Sequence, residues 1–367
     1  VGGGSAAHPF SHHRPTFTMT TDNLIWSARA DLAQRSLAAR FGAPWPQLYH
    51  NWSPSSAAGD AVFNYWWLAH VIDVRLDAYE RTGDPAWLDG ARAVRRNILE
   101  RNQGSLYNDY FDDMLWFGLA LERLGRLGDD AGATADAAAL WERCRTLGWN
   151  ATCGWSLAWR ATQLDYKNTP ANGPFAILGA RLFEASGQQM YLEHAVASFE
   201  WISRTLMPRG DGFVEDGINR LGDGAIDTPW QFTYNQGLYI GAGVALYRAT
   251  GEPAFLDRVQ PTATTALAVL GDGTVFHPEG DGGDEGLFKG VFYRYAEQLL
   301  RVRPDVGLTG FIAASVDALW DRGVGPDGDF APGNDWRTPP AGPVPYSTYL
   351  SAIMATEVRA ALSNRPT

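Results

Sequence analysis

Four short segments of the chain share one pattern, in which a helix ends at a glycine and a second helix begins within a few residues. The segments are "AYERTGDPAWLDGA" from Ala78, "LFEASGQQMYLEHA" from Leu182, "LYRATGEPAFLDRV" from Leu246 and a weaker copy, "LERLGRLGDDAGATADA", from Leu121. Each copy has a glycine where helices commonly end in a left-handed conformation, at Gly83, Gly187, Gly251 and Gly128. The repeat therefore predicts αα-hairpins, which are antiparallel helix pairs joined by tight connections.

Apolar periodicity extends this pattern to twelve helices. The predicted spans are 21–41, 58–82, 85–100, 112–127, 131–147, 171–186, 189–206, 233–250, 253–270, 286–302, 306–321 and 345–361. Connections within a hairpin are short, whereas those that lead into the second, fourth and later even-numbered helices are long. These long connections are 42–57, 101–111, 148–170, 207–232, 271–285 and 322–344. Since long loops carry function more often than short ones, we expect the site at the end of the molecule where they gather.

The two helices of each hairpin differ in composition. Those that follow long loops are apolar on nearly every face, such as "MLWFGLALERL" and "YNQGLYIGAGVALYRA", so they are expected to be buried on all sides. The others, such as "AWLDGARAVRRNILER", are amphipathic and suit an outer layer. The sequence predicts an all-α fold, an (α/α)6 barrel of six hairpins with inner and outer helix rings, and an open α-solenoid is the alternative. We expect one domain over 21–367, preceded by a disordered lead or cloning remnant over 1–20.

Charge and composition exclude several classes of function. The net charge is −11 and no basic run is present, which argues against nucleic-acid binding. No apolar run approaches the roughly 20 residues that span a bilayer, so membrane insertion is not expected. No cluster of Cys and His suits zinc, and we expect neither a metal nor another cofactor. Cys144 and Cys153 fit one disulfide or two free thiols equally well. We expect a monomer.

Two adjacent aspartates, Asp112 and Asp113, lie in "YNDYFDDMLW" where an inner helix begins. Aspartate is common at helix starts, so capping alone is one interpretation. Retaining glycosidases use two carboxyl groups about 5–5.5 Å apart, which neighbours at a helix start can approach. Charge repulsion and apolar rings would separate their pKa values, although the residues alone do not assign the roles. A magnesium–diphosphate motif, DDxxD, is disfavoured because Trp116 replaces its last aspartate.

Other polar and aromatic residues lie on the same predicted face and are candidates to bind substrate. Asp216 and Asp227 are on the longest loop and could bind sugar hydroxyls or simply form turns. Further polar candidates open two inner helices: Asn168, Asn172, Thr233, Tyr234, Asn235 and Gln236. The aromatic candidates, which serve equally well as core residues, are Trp52, Tyr65, Trp66, Tyr110 and Trp336. His70 and Asp73, deeper in their helix, are expected to form a core pair.

The segment "FDDMLWFGLALERL" resembles the signature of glycoside hydrolase family 76, the α-1,6-mannanases. Further segments resemble that family, including "NTPANGPFAILGARLF" and "WQFTYNQGLYIGAGVALYRATGE", and the similarity runs from about Asn23 to Ala361. The resemblance implies an (α/α)6 fold and a retaining mechanism in which Asp112 is the nucleophile and Asp113 the general acid/base. It further implies an endo-acting enzyme on α-1,6-linked mannan or mannooligosaccharides, secreted or attached to the cell envelope. A transglycosylase and a mannan-binding protein without catalysis are the alternatives.

Overall fold

Helices dominate the fold seen in a computed structural model that describes residues 21–280, 283–325 and 327–364. In these ranges it has twelve α-helices: α1 Thr21–Phe41, α2 Tyr65–Thr82, α3 Pro85–Arg101, α4 Phe111–Gly128, α5 Ala131–Gly148, α6 Thr169–Ser186, α7 Gln189–Thr205, α8 Thr233–Thr250, α9 Ala254–Leu270, α10 Phe288–Val302, α11 Val306–Arg322 and α12 Tyr346–Ser363. The predicted lead, 1–20, and the last residues of the predicted domain, 365–367, lie outside the described residues.

The inner helices form a closed ring. Each even-numbered helix packs against the next, from α2 through α4, α6, α8 and α10 to α12, and α12 packs against α2. Among the odd-numbered helices, α3, α5, α7 and α9 each pack on the inner helix that precedes them, and both α1 and α11 pack on α12. Because the first and last inner helices are in contact, the predicted (α/α)6 barrel is confirmed and the open solenoid is wrong.

The start of α2 is the largest error in the predicted helix boundaries. The prediction began at residue 58, whereas Gly59–Ala61 form a short 3-10 turn and the helix begins at Tyr65. The carboxylate of Asp60 accepts hydrogen bonds from the backbone N–H of Asn51 at 2.8 Å and lies 2.6 Å from Nδ1 of His50. These contacts hold the segment against the preceding loop, so it does not extend the helix.

Short strands tie the long loops together. In the described residues there are six, each of two residues: β1 Trp52–Ser53, β2 Trp149–Asn150, β3 Ser156–Leu157, β4 Lys167–Asn168, β5 Gly217–Ile218 and β6 Val344–Pro345. They pair antiparallel as β1–β6, β2–β3 and β4–β5. Pairs this short carry no alternating pattern, which explains why the sequence did not indicate them.

Glycines act in two ways in this barrel. Gly83, Gly187 and Gly251 end their helices with φ of 70°, 70° and 76°, as the repeat predicted. The prediction for Gly128 was wrong, because α4 continues through it and Asp129 takes the left-handed position with φ of 50°. Within the inner ring, a Cβ on Gly237 would lie 2.7 Å from Cα of Phe292, so α8 and α10 approach too closely for any side chain there.

Paired charges close the end of the barrel that lies opposite the long loops. Arg123 on α4 bonds Asp73 at 3.1 Å and Asp77 at 2.6 Å, both on α2. Arg294 on α10 bonds Asp77 at 2.8 Å. These groups line a cavity of about 950 Å³. Cations suit this end, where the carbonyl groups of the inner helices terminate.

The expected core pair of His70 and Asp73 is not formed. Asp73 bonds Arg123 instead, and neither ring nitrogen of His70 has a hydrogen-bond partner among the described residues. The ring lies 4.8 Å from the Trp116 ring, and burial lowers the pKa of His70 to about 3. His70 is therefore a neutral ring in the aromatic core, and the sequence interpretation was wrong on its partner.

The state of the two cysteines was left open by the sequence. Cys144 and Cys153 are both free thiols, and Cys144 is buried. No helix among the described residues has the length and apolar character that a membrane crossing requires.

Candidate active site

The adjacent aspartates Asp112 and Asp113 lie in the first turn of α4. Neither is the N-cap, since that position is Tyr110, which makes no side-chain cap. Oδ1 of Asp112 accepts a hydrogen bond from the backbone N–H of Asp113 at 2.9 Å. One of the free N–H groups at the helix start is thereby satisfied, as expected for acidic residues in a first turn.

The two carboxyl groups have different hydrogen-bond donors. Oδ2 of Asp112 accepts from the indole Nε1 of Trp159 at 2.9 Å, in addition to the backbone bond to Oδ1. Oδ2 of Asp113 accepts from the amide of Asn108 at 3.0 Å. Donors to a carboxylate favour its ionised form, so Asp112, with one donor to each oxygen, is the better stabilised anion.

Both carboxyl groups hold protons to higher pH than usual. Burial raises the pKa of Asp112 to about 7, against the hydrogen bonds from the Asp113 backbone and Trp159. The pKa of Asp113 is raised well above its usual range by burial, then by the charges of Asp112 and Asp284. Since they interact strongly, the pair loses its first proton as a unit. The donors indicate that Asp113 is the member that keeps the remaining proton.

Aromatic rings surround the pair. Trp66 on α2 lies 6.1 Å from Trp116 of α4 at an interplanar angle of 30°, and 6.4 Å from Phe288 of α10. On the other side, the Trp159 ring meets the Tyr110 ring edge-on at 5.4 Å. Flat apolar faces next to polar groups suit sugar rings, which present C–H surfaces and hydroxyl edges.

Asp216 is the centre of a buried hydrogen-bond cluster beside the pair. Its Oδ2 accepts from the Tyr166 hydroxyl at 3.0 Å and from Arg220 at 2.8 Å. Its Oδ1 accepts from the Tyr234 hydroxyl at 3.1 Å and from the Asn235 amide at 3.0 Å. These four bonds fully occupy the carboxylate, so Asp216 positions its neighbours and has no free lone pair for a sugar in this conformation.

Asp227 shares two of these partners and is less buried. The Tyr166 hydroxyl lies 3.0 Å from Oδ2 of Asp227, and Nε of Arg220 bonds the same oxygen at 3.1 Å. The Arg220 guanidinium also lies 3.9 Å from the ring of Trp230, which is 45% exposed. An open tryptophan beside paired charges extends the aromatic surface away from the aspartate pair.

Several polar candidates make hydrogen bonds that hold loops in place. Thr233 donates from N and Oγ1 to Glu279, at 2.6 and 2.7 Å. Gln236 bonds both the N–H and the carbonyl of Val214. Asn172 does the same for Leu157, and Asn168 caps α6 through the N–H of Ala171. The structure therefore assigns these side chains loop-anchoring contacts.

The aromatic candidates fall into two groups. Trp66 and Tyr110 border the pair, and Tyr65 lies near enough for the charge of Asp113 to raise its pKa further after burial. Trp336 is 3% exposed and stacks on Tyr293 at 5.3 Å, so its faces are used in packing. Trp52 lies in β1, where it is paired with Pro345.

The long loops, the aromatic rings and the aspartate pair meet at one end of an (α/α)6 barrel, and residues 35–356 match the model of Glycosyl hydrolase family 76. The chain belongs to this family. The resemblance inferred from the sequence is thereby confirmed.

This family 76 chain is similar to solved structures over almost its whole length. The Lin0763 protein from Listeria innocua is 44% identical with a TM-score of 0.89, covering 92% of this chain and 97% of that one. An inactive variant of the α-1,6-mannanase GH76A of Salegentibacter, with two consecutive aspartates changed to asparagine, is 33% identical with a TM-score of 0.84. That structure is a complex with α-1,6-mannotriose, and the match covers 92% of this chain and 99% of that one.

A curated relative matches over a shorter stretch. The mannan endo-1,6-alpha-mannosidase DCW1 of Saccharomyces cerevisiae is 30% identical over 171 residues. The match covers 43% of this chain and 38% of that protein, so the chain spans well under half the length of this relative.

Four contributors to this family 76 site were missed by the sequence analysis: Asn108, Asp109, Asp284 and Trp159, which donates to Asp112. Asn108 bonds Asp113, and Asp109 accepts from the hydroxyl of Thr162 at 2.6 Å, which ties its loop to the loop that carries Trp159. Both precede the aspartate pair by a few residues, so proximity along the chain was the available signal. Asp284 lies just before α10, in a glycine-rich acidic loop that gave no specific pattern.

Proposed function

We propose that this chain is a retaining, endo-acting α-1,6-mannanase that cleaves mannan backbones through a covalent glycosyl-enzyme intermediate. The observation that carries the proposal is the unequal bonding of the adjacent carboxyl groups, two donors for Asp112 and one for Asp113. A retaining glycosidase needs one ionised and one protonated carboxyl group, and these environments favour that division.

The roles follow from the division of the proton. Ionised Asp112 attacks the anomeric carbon, and Asp113 gives its proton to the departing O6 of the next mannose. The C1–O6 bond breaks as the bond between C1 and a carboxylate oxygen of Asp112 forms. Asp113, now ionised, takes a proton from water, whose oxygen attacks C1 and releases Asp112. Two displacements at C1 leave the product with its original α configuration.

The relatives support this substrate and this pair. The Salegentibacter protein is named an α-1,6-mannanase, and its variant with two consecutive aspartates replaced is called inactive. This chain has two such pairs, Asp112–Asp113 and Asp129–Asp130. Asp129 ends α4 and Asp130 caps α5 through the N–H of Ala133, at the opposite end of α4 from the aromatic rings. The first pair is therefore the one proposed for catalysis.

The second pair provides a matched control for the decisive experiment. Hydrolysis of linear α-1,6-mannooligosaccharides should fall by about 10⁴-fold or more in Asp112→Asn/Asp113→Asn. In Asp129→Asn/Asp130→Asn it should stay close to wild type. Activity that survives in the first variant would refute the assignment of the pair.

Azide separates the two roles and tests retention. With an activated α-mannoside, Asp113→Ala should form a glycosyl-enzyme that azide opens to the α-mannosyl azide. In Asp112→Ala, azide replaces the missing nucleophile and should yield the β-mannosyl azide. Identification of the anomers by NMR decides the matter, since the reverse pattern exchanges the roles of the two residues. An initial β-product from the wild type would show inversion.

The product profile distinguishes the remaining alternatives. Products longer than the starting oligosaccharide would identify a transglycosylase, and tight mannan binding without turnover would identify a binding protein. We propose a monomeric enzyme that acts without a metal, at a secreted or cell-envelope location where mannan polymers lie. Among the described residues no group of three or more His, Cys, Asp or Glu is arranged to hold a metal ion.

A further inference from the structure

Asp284 is a third carboxylate at the mouth of the barrel. It lies in the 3-10 turn Gly283–Leu287, immediately before α10. Its Oδ1 accepts a hydrogen bond from the indole Nε1 of Trp66 at 3.0 Å and another from that of Trp67 at 2.7 Å. Both tryptophans are in the first turn of α2, and α12 lies between α2 and α10 in the inner ring. The contact therefore spans the mouth beside the aspartate pair.

The second oxygen of Asp284 is available. Among the described residues no group donates to Oδ2, and the side chain is exposed. The negative charge nonetheless acts on both members of the pair, since it contributes to the raised pKa of Asp112 and of Asp113. Asp284 is thus fixed by one oxygen, open at the other, and close to the carboxyl groups that are proposed to react.

A purely structural anchor does not require this charge. The two indole N–H groups need only an acceptor, which the amide oxygen of asparagine supplies equally well. A carboxylate in this position repels two others and makes their ionisation harder, which is unfavourable unless the charge has a use. Binding a sugar is such a use, because sugar hydroxyl groups donate strong charge-assisted hydrogen bonds to a carboxylate.

We propose that the free oxygen of Asp284 binds ring hydroxyls of the mannosyl unit that Asp112 attacks, with the Trp66 ring as the adjoining platform. This inference rests on the proposed function. The indole bond of Trp66 to Asp284 fixes the ring and the carboxylate relative to each other, so a sugar on the ring presents its hydroxyl edge to Oδ2. Asp284 has a second effect, since its charge helps Asp113 to keep the proton that the leaving oxygen needs.

Asp284→Asn separates the charge from the anchor, because the amide oxygen retains both indole bonds. The first measurement is α-1,6-mannotriose binding by calorimetry in the Asp112→Asn/Asp113→Asn background, where the pair carries no charge. Adding Asp284→Asn should weaken binding by about 10-fold or more, as loss of a hydrogen bond to a charged group does. The matched control is Asp223→Asn, on a different loop from Asp284. Asp223 is likewise an exposed carboxylate, and its Oδ1 accepts a hydrogen bond from the N–H of Ala225. This control should leave the affinity unchanged.

The second measurement is the pH profile of kcat/KM on α-1,6-mannotetraose with the pair intact. Three further groups face Asp112 and Asp113: the amide of Asn108, the indole of Trp159 and the carboxylate of Asp284. The other titratable groups that interact with the pair are Tyr65, Tyr234 and Cys144. Removing the charge of Asp284 lowers the pKa of both aspartates, so both limbs should move to lower pH by roughly 0.5–1 unit. If Asp284 were an anchor alone, Asp284→Asn would leave both the amplitude and the limbs in place, since it keeps the two indole bonds.

Each result has a defined meaning. Asp284→Asn should melt no lower than the wild type, since it keeps both indole bonds and removes a repulsive charge, whereas Asp284→Ala, which loses both indole bonds, should melt lower than Asp284→Asn. If the wild type cleaves α-1,6-mannotetraose but Asp284→Asn leaves mannotriose affinity unchanged, this inference alone is overturned, whether or not the limbs move. Weaker binding with unmoved limbs would keep the hydroxyl contact and overturn only the effect of the charge on the pair. If the wild type neither cleaves nor binds these oligosaccharides, the proposed function fails and this inference fails with it.

Discussion

The indole nitrogen of Trp159 donates a hydrogen bond to Oδ2 of Asp112 over 2.9 Å. The tryptophan comes from the loop between α5 and α6, and its ring is held edge-on by Tyr110 at 5.4 Å and by Tyr166 at 5.6 Å. Tyr166 in turn bonds Asp216. The buried Asp216 cluster thereby fixes the orientation of the proposed nucleophile through two aromatic side chains.

Trp159→Phe keeps the ring and removes this donor. The bond lowers the pKa of Asp112, so its loss should raise that pKa above its present value of about 7. Because Asp112 must be ionised to attack, the acidic limb of kcat/KM should move to higher pH by roughly 0.5–1 unit. Activity on the acidic side should fall by about 10-fold.

The control for this substitution is Trp155→Phe on the same loop, at a tryptophan that is 63% exposed. It should leave the pH profile unchanged. An unshifted acidic limb in Trp159→Phe would show that the indole bond does not act on the ionisation of Asp112.

The aspartate pair should lower the stability of the fold at neutral pH. The pKa of Asp112 rises from its usual 3.8 to about 7 on folding, so between these values the folded chain binds more protons than the unfolded chain. The extra proton bound by folded Asp112 stabilises the fold. This contribution to the free energy of unfolding is complete below about pH 4 and is lost as pH rises through 7. Asp113 acts in the same direction. Asp112→Asn/Asp113→Asn should therefore melt about 2–6 °C higher than wild type at pH 8.

The pH dependence of this gain is its test. In thermal denaturation the difference between variant and wild type should shrink toward zero near pH 4, where the wild-type carboxyl groups are protonated. Asp129→Asn/Asp130→Asn should show no gain at pH 8. A gain of equal size at both pH values would point to a cause other than ionisation.

Arg123 neutralises three carboxylates at the far end of the barrel, those of Asp73, Asp77 and Glu80. Arg123→Met takes this partner from the buried Asp73 and the half-buried Asp77, so the free energy of unfolding should fall by about 3–5 kcal/mol. Arg204→Met, at an exposed pair with Glu200, should change it by about 0–1 kcal/mol. Denaturant unfolding measures both, and kcat of the folded Arg123 variant should stay near wild type.

Gly237 is needed where α8 meets α10. The Cβ of Gly237→Ala would lie 2.7 Å from backbone Cα of Phe292, so the helices must separate, at a loss of about 1–3 kcal/mol in the free energy of unfolding. Gly310→Ala, on α11 with nothing within 4 Å of the added Cβ, should be neutral or gain up to about 1 kcal/mol. Equal effects from the two substitutions would show that the close approach does not limit packing.

Much of the fold was predictable because its signals are local. The glycine that ends a helix and the apolar faces of the inner helices act within a few residues, so the sequence predicted the barrel and most helix boundaries. The start of α2 failed since Asp60 bonds the preceding loop, and Gly128 failed because Asp129 took its place.

The partners of the site residues were harder to predict from the sequence, because they come from distant parts of the chain. Asp112 and Asp113 could be singled out by adjacency, but Trp159 and Asp284 reach the site only through loop geometry. The contacts of Thr233 and Gln236 with Glu279 and Val214 likewise showed which polar residues hold loops in place.

The sequence by itself determined the hairpin repeat, the two layers of helices and the adjacent carboxyl groups at a helix start. The tertiary structure decided which of those carboxyl groups receives two donors, which charges lie beside them, and which aromatic rings stay open. The physical reason is the separation along the chain between the residues that interact. Helix formation and capping depend on neighbours in the chain, whereas the ionisation of Asp112 and Asp113 depends on burial and on charges brought together by closure of the ring.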